Sequence, residues 1–397
     1  VTAFYAEFSS SDAISDGLLE EARSLIGVPL RVDQWNTEAS VDNIRHYALG
    51  IGDLNPLWQD VEYARSSVHR GIVAPPTFLY SVYCGLAPGL GGLAALHQGV
   101  RWQFHDWIRL GDQLRAAAQL TDATMTVSKR GHRRIKQFGR IEYSVIQATG
   151  GQRLVAQCDQ TVIRTPGPGQ PDALAYEPRD EHQYTVDELS EIGRAVLSVK
   201  QRGAETRYWD DVECGDVVDQ VVKGPYTRMS MVCYYAGAPG SPGYRAFDAW
   251  WRNRHLATTA PESIPNTFDP AYFAGTGVSS MGHHDAGVAH TIGMPGIYDN
   301  GNQRIGLMAT PITNWMGDEG FLYEYNQESR RPVLLGDTLY IDGTVVDKSE
   351  LADGDSLAFN VRGDDFGQAK LELKARNQLG DVVATGGATV LLRLKKS

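Results

Sequence analysis

Alternation of apolar and polar residues is the clearest signal along this chain, and it closes each half. IEYSVIQ and RLVAQCDQTVIR flank ATGGQ in the first half; KLELKAR and VVATGGATVLLRL flank NQLGD in the second. Period-two alternation around a turn containing glycine predicts an antiparallel hairpin in both places. Ahead of each hairpin one segment reads as helical, PPTFLYSVYCGLA (75–87) and NQRIGLMATPITNWMG (302–317). Between the halves, TPGPGQPDALAYEPRDEHQY (165–184) is rich in Pro, Gly and charge and has no periodic apolar pattern, so it reads as a linker. It runs into Thr185-Val186-Asp187-Glu188, a capping-box signature that predicts a helix through Val199. A mostly antiparallel sheet with one principal helix, present twice, is an α+β architecture in which the helix hides its apolar face in the curl of the sheet.

An ordered series of matches supports the doubling. Gly27 and Tyr47-Ala48 recur 188 residues later as Gly215 and Tyr235-Ala236. Trp58, Ala64, Gly71-Ile72, Gly111-Asp112 and Leu114 find His283, Ala289, Gly296-Ile297, Gly336-Asp337 and Leu339 at an offset of 225. The offset steps once, so the second copy carries about 37 extra residues between Ala236 and His283. The expected division is a first unit over 1–164, a linker with a helix over 165–202, and a second unit over 203–397 with an insertion at about 237–282.

Composition narrows the function without choosing it. The 397 residues carry a net charge of −11, which argues against nucleic acid as a partner. No run approaches the roughly 18 apolar residues of a membrane span, and the first residues lack the pattern of a signal peptide. Cys84, Cys158, Cys214 and Cys233 show no C-x-x-C spacing and are expected as buried free thiols in a reducing, cytoplasmic setting. His283, His284, Asp285 and His290 cluster but match no standard zinc spacing, so neither a metal nor another cofactor is expected.

The stretch Tyr47-Ala-Leu-Gly-Ile-Gly-Asp53-Leu-Asn55-Pro56-Leu57-Trp58, with Ala64 six residues on, resembles the hydratase signature of MaoC-like proteins. HRGIVAPPTFL (69–79) is similar to that family's Gly-containing turn into its long helix, and His283-x-Asp285 with Ala289 and MPGIYDNGNQR resembles the second half of its two-unit bacterial members. The resemblance implies a tandem hotdog fold, each unit an antiparallel sheet wrapped around a long helix. It also implies addition of water to, or its removal from, a 2-enoyl thioester carried by coenzyme A or an acyl-carrier protein. Hydration needs a base for the water, an acid for the α-carbon and a donor for the charge that gathers on the carbonyl. The candidates are Asp53, Asn55, His283 and Asp285 for the acid–base work. Gly71 and Gly296 are candidates for a backbone oxyanion donor, with Trp58 beside the substrate.

The sequence departs from the family pattern at two places. Trp58 stands where the family has its catalytic His, and Val278, five residues before His283, stands where it has its Asp. Three readings follow: Asp53 and His283 share a composite site; Asp248 or Asp269 of the insertion returns a carboxylate to His283; or the pocket does different chemistry or none. Rival functions are a thioesterase, an isomerase or cyclase using Asp53 alone, and a non-catalytic subunit that binds acyl thioesters. Asp53 and Asn55 before a proline also suit an Asx-turn. The basic run from Lys129 to Lys136 reads as a solvated hairpin tip or as a grip on coenzyme A phosphates. The aromatic and Arg-rich insertion reads as a cover for the acyl pocket. Two units already supply the pairing that single-unit members gain by dimerising, and a homodimer of the whole chain stays open.

Overall fold

The computed structural model describes residues 14–395 except 31, 33, 91–92, 129–130, 166–175, 240–281, 292 and 352–364. The proposed insertion, with Asp248 and Asp269, therefore lies almost wholly outside the described residues, as do Lys129 and Arg130. The fold is an α+β hotdog. Its strands are β1 (Ala94–Phe104), β2 (Leu114–Val127), β3 (Arg133–Ile146), β4 (Gln152–Thr165), β5 (Val217–Lys223), β6 (Phe321–Ser329), β7 (Leu339–Glu350), β8 (Phe366–Arg376) and β9 (Val382–Arg393). They form one antiparallel sheet in the order β2-β3-β4-β1-β6-β9-β8-β7-β5, joined at its middle by β1 against β6, where Trp102 pairs with Tyr325. Both predicted hairpins are present, as β3–β4 and β8–β9.

The helices are α1 (Asp16–Ser24), α2 (Val41–Gly50), α3 (Pro56–Gln59), α4 (Val61–Ser66), α5 (Val186–Leu197), α6 (Arg228–Gly237), α7 (Ala286–Thr291) and α8 (Gly301–Met316). The linker helix α5 has the reciprocal Thr185–Glu188 cap that its sequence predicts. Helix α8 matches the segment predicted over 302–317 and is buried along its whole length. Pro311 inside it cannot bond the Leu307 carbonyl, and the Thr310 hydroxyl donates to that oxygen instead, at 2.7 Å.

The helix expected over 75–87 is not there. Residues Pro76–Ser81 form a short 3-10 helix and the chain then runs irregularly to β1. The reason lies in its composition: Thr77, Tyr80, Ser81, Val82 and Tyr83 are all poor helix formers, and Gly85 and Pro88 end what they begin. Buried Arg164 ties down the irregular stretch. Its guanidinium donates to the carbonyls of Ala87 at 3.1 Å and Leu90 at 2.6 Å. The cysteines also differ from expectation. All four are free, but only Cys84 and Cys158 are buried, while Cys214 and Cys233 are exposed. Among the described residues no helix is long and apolar enough to cross a membrane.

Backbone geometry recurs at the offsets seen in the sequence. Val73 bridges Arg109, and 225 residues on Tyr298 bridges Leu334. The Asp112 carboxylate accepts the Arg109 N–H, and Asp337 accepts that of Leu334. Helices α4 and α7 are related by the same 225, as are the starts of the 3-10 helix and α8. Gly27 and Gly215, 188 apart, donate to Leu120 and Val345, which are 225 apart, so both offsets recur in one hydrogen bond. Helices α2 and α6, however, fall 187 apart, so Tyr47 corresponds to Tyr234 and not to Tyr235 as the sequence match suggested. These two helices cross closely: a side chain on Gly50 would meet the Tyr234 backbone at 2.7 Å, and one on Gly237 the Tyr47 backbone at 2.4 Å.

Candidate active site

The Asp53 motif folds as two nested turns. Asp53 Oδ1 accepts the Asn55 N–H and Asn55 Oδ1 accepts the Leu57 N–H, both at 3.0 Å, so Asn55 caps the short α3. Both side chains are buried. Burial raises the Asp53 carboxyl above the usual range, against the pull of Lys223 and the Asn55 N–H. The Lys223 ammonium donates to the Gly52 carbonyl at 2.6 Å, and its own affinity for a proton falls to about 8 through burial. The motif forms the corner that joins α2 to α3.

His283 has a different setting. It is 8% exposed and lines a cavity of about 450 Å³, within the usual range for small-molecule sites. Asp53 does not line that cavity. The partners described for Asp53 (Ala48, Asn55, Gln59, Trp58, Lys223) and for His283 (Tyr298, His284, Asp299, Arg304) do not overlap. His283 Nδ1 lies 2.9 Å from the Tyr298 carbonyl oxygen. A carbonyl only accepts, so Nδ1 carries the proton and Nε2 keeps its lone pair. Burial pulls the imidazole down to about 4, although the Tyr298 carbonyl and Asp299 pull the other way. The ring is therefore neutral at pH 7 and able to take a proton.

The start of α8 forms one wall of the cavity. Asn300 Oδ1 caps the helix through the Asn302 N–H at 2.9 Å, and Asn300, Gly301 and Asn302 all face the cavity. A helix start presents unpaired N–H groups and positive potential to a ligand. Asp299 and Arg304 form a buried two-pronged ion pair beside it, with Arg304 Nε 2.7 Å from Asp299 Oδ2. Burial lowers the guanidinium, but the Asp299 carboxylate outweighs that and holds it above its ordinary value.

The remaining candidates fall elsewhere. Asp285 is exposed and stands just before α7, where its backbone carbonyl accepts the Ala289 N–H. Its counterpart 225 residues earlier, Asp60, caps α4 by accepting the Glu62 and Tyr63 N–H groups. Gly71 and Gly296 do not line the cavity; Gly301, five residues after Gly296, does. Trp58 is buried, 6.5 Å from Trp107 ring to ring. From the basic run, Arg133 is ion-paired with Asp16 on the surface, while Arg134 reaches the cavity. Among the described residues no group of three His, Cys, Asp or Glu side chains is placed to hold a metal.

The sequence reading missed His97. It sits on β1, in the first half of the chain, yet lines the cavity with His283 and packs against the start of α8. No motif surrounds it. The signal lies in the 225 offset, which pairs His97 with Leu322. That pairing is general, because a second cavity uses equivalent positions. Leu322, Ala74 and Pro76 line it where His97, Asp299 and Gly301 line the first. Leu79, Phe104 and Trp107 replace Arg304, Ser329 and Pro332. The second cavity has only about 10 Å³, room for a single water at most. One location is polar and open; its equivalent is apolar and filled.

Residues 24–135 match the family model of the FAS1-like dehydratase domain region. A UPF0336 protein of Parafrankia sp. is 38% identical over 81 residues, 18% of this chain and 54% of that protein. One from Streptomyces coelicolor is 31% identical over 85 residues, 19% of this chain and 57% of its own length. The chain thus spans little more than half the length of these curated relatives. Among solved structures, a MaoC-like dehydratase shares the fold over 94% of this chain and 100% of its own, with a TM-score of 0.60 at 17% identity. A putative MaoC domain protein dehydratase from Chloroflexus aurantiacus covers 94% and 96%, with a TM-score of 0.52 at 13% identity. The solved structures share the fold of this chain, and the family model over its first part is that of a dehydratase domain region.

Proposed function

We propose that this MaoC-like hotdog chain is a tandem of two hotdog units with a single working site, and that the site hydrates a 2-enoyl thioester or runs the reverse dehydration. The observation that carries the reading is a neutral, oriented His283 on a cavity at the start of the buried helix α8. The recurring hydrogen bonds at 225 residues support the tandem arrangement, with the units over 1–164 and 203–397. The filled equivalent cavity supports a count of one site per chain.

The chemistry needs one base and one oxyanion donor. His283 Nε2 takes a proton from water as the water oxygen bonds the β-carbon. The π pair of the alkene moves toward the carbonyl and gives an enolate, whose charge the helix start stabilises. The α-carbon then takes the proton back from the imidazolium, so one water has been added and His283 is neutral again. In this scheme Asp53 and Asn55 hold a corner and Asp285 stands exposed just before α7. The acyl carrier is coenzyme A or an acyl-carrier protein, the cellular setting is cytoplasmic, and the chain works as a monomer or homodimer.

Mass spectrometry of crotonyl-CoA after incubation with the protein tests this reading. A gain of one water supports it. Loss of the acyl group would make the site a thioesterase, an isomer of unchanged mass would make it an isomerase, and intact substrate would leave only binding.

A further inference from the structure

We infer that His97, donated by β1 of the first half, is a second catalytic group of the His283 site: its ring N–H bonds the thioester carbonyl oxygen and stabilises the enolate that forms there. The inference rests on the hydration reading for its reaction and on independent geometry for its place. His97 lines the same cavity as His283, although 186 positions separate them in the chain. It packs directly on the start of α8. A side chain added at Gly301 would stand 3.3 Å from His97 Cβ and 3.6 Å from Nδ1, so the glycine keeps the imidazole close to the helix start. Strand β1 changes register against β4 between His97 and Gly99, the kind of irregularity that re-aims a side chain.

The polar accounting points the same way. Both ring nitrogens are buried, and among the described residues neither has a hydrogen-bond partner. Such a group costs about 1–3 kcal/mol unless something bonds it, and a substrate oxygen would do so. The fold does not require an imidazole there, because Leu322 stands at the equivalent position, lining the small second cavity with Pro76. Burial, helped by Arg304, lowers the ring to about 4. A neutral imidazole polarises a carbonyl by hydrogen bonding without giving up its proton, so no further co-reactant is needed. With the Gly301 helix start it makes a two-sided clamp on the oxygen, and this clamp is built from both halves.

The test uses His97→Leu, the residue that the fold accepts at the equivalent place, with His97→Gln as a variant that keeps a donor. The full-length proteins are loaded with butyryl-CoA carrying carbon-13 at the carbonyl, a saturated thioester that cannot be hydrated, and the C=O stretch is read by isotope-edited infrared difference spectroscopy. The stretch should move to lower frequency in the unmodified protein and in His283→Gln, return toward its solution value in His97→Leu, and stay partly shifted in His97→Gln. With crotonyl-CoA, His97→Leu should lower kcat by about 100- to 1,000-fold with KM within about threefold, the usual cost of one oxyanion donor. An unchanged stretch in His97→Leu, or an effect on KM alone, overturns the inference even if hydration is confirmed. A stretch that depends on His97 in a protein that does not hydrate crotonyl-CoA upholds it and rejects the hydratase reading.

Discussion

Trp58 and His283 stand two residues ahead of equivalent positions, Asp60 before α4 and Asp285 before α7, yet one is sealed in a packed corner and the other opens onto a cavity. The difference extends to their surroundings. Around Trp58 the neighbouring cavity is filled by Leu79, Trp107 and Leu322; around His283 the same places hold Arg304, Pro332 and His97. At these equivalent positions one cavity is open and carries polar side chains, and the other is packed with apolar ones. Each site draws on both halves, because β1 faces α8 and β6 faces the 3-10 helix.

The packed corner makes a stability prediction. Trp58→Ala should cost about 3–5 kcal/mol, as for other fully buried aromatic side chains cut to alanine, and a loss of this size should appear in denaturant unfolding. Turnover measured well below the new midpoint should stay close to that of the unmodified protein. A large loss of turnover with stability intact would put Trp58 in contact with substrate.

The ion pair beside the site is the second stability test. Removing one partner of a buried pair strands the other, so Asp299→Ala should destabilise by about 3–5 kcal/mol. Arg304→Met should cost less, because it leaves Asp299 with the Val333 N–H at 3.3 Å and access to the cavity. Equal and small effects by thermal unfolding would show that the pair contributes little.

The pH dependence follows from the direction of the shifts. His283 and His97 are lowered in the fold to about 4, below the roughly 6.5 of an unfolded chain. Between those values the unfolded state binds more protons than the folded one. The stability that depends on their burial is thus complete above about pH 6.5 and is lost as pH falls through 4. The groups facing His283, namely Asp299, Arg304 and His284, are part of that balance. The pH profile of kcat/KM should be flat from about pH 6 to 8 and fall only toward pH 4. A midpoint near 6.5 would mean that the base is a solvated imidazole elsewhere.

Much of the architecture is legible in the sequence, because hairpins and buried helices announce themselves through period and turn residues. The two hairpins, the α5 cap and α8 follow directly. The segment 75–87 misleads because its apolar spacing suits a helix while its β-branched and aromatic residues do not. Arg164 and the surrounding carbonyls settle the conflict in three dimensions. The site is harder to read. Asp53 carries the most specific motif, and the same residues also describe an Asx-turn, which the fold forms. His97 has no motif at all. Its place becomes visible only when the strands are paired and the 225 offset is applied across them.

The central claim is that His283, and not Asp53, serves the working site, and one comparison tests it most directly. Initial rates of crotonyl-CoA hydration are measured for His283→Gln and Asp53→Asn beside the unmodified protein, with folding checked by thermal unfolding. His283→Gln should lower kcat by about 100- to 10,000-fold, the range for a lost acid–base group, while Asp53→Asn, which keeps the Oδ1 acceptor of its turn, stays within about threefold. The reverse result, a folded Asp53→Asn that is inactive beside an active His283→Gln, would contradict the account and return the chemistry to the first half of the chain.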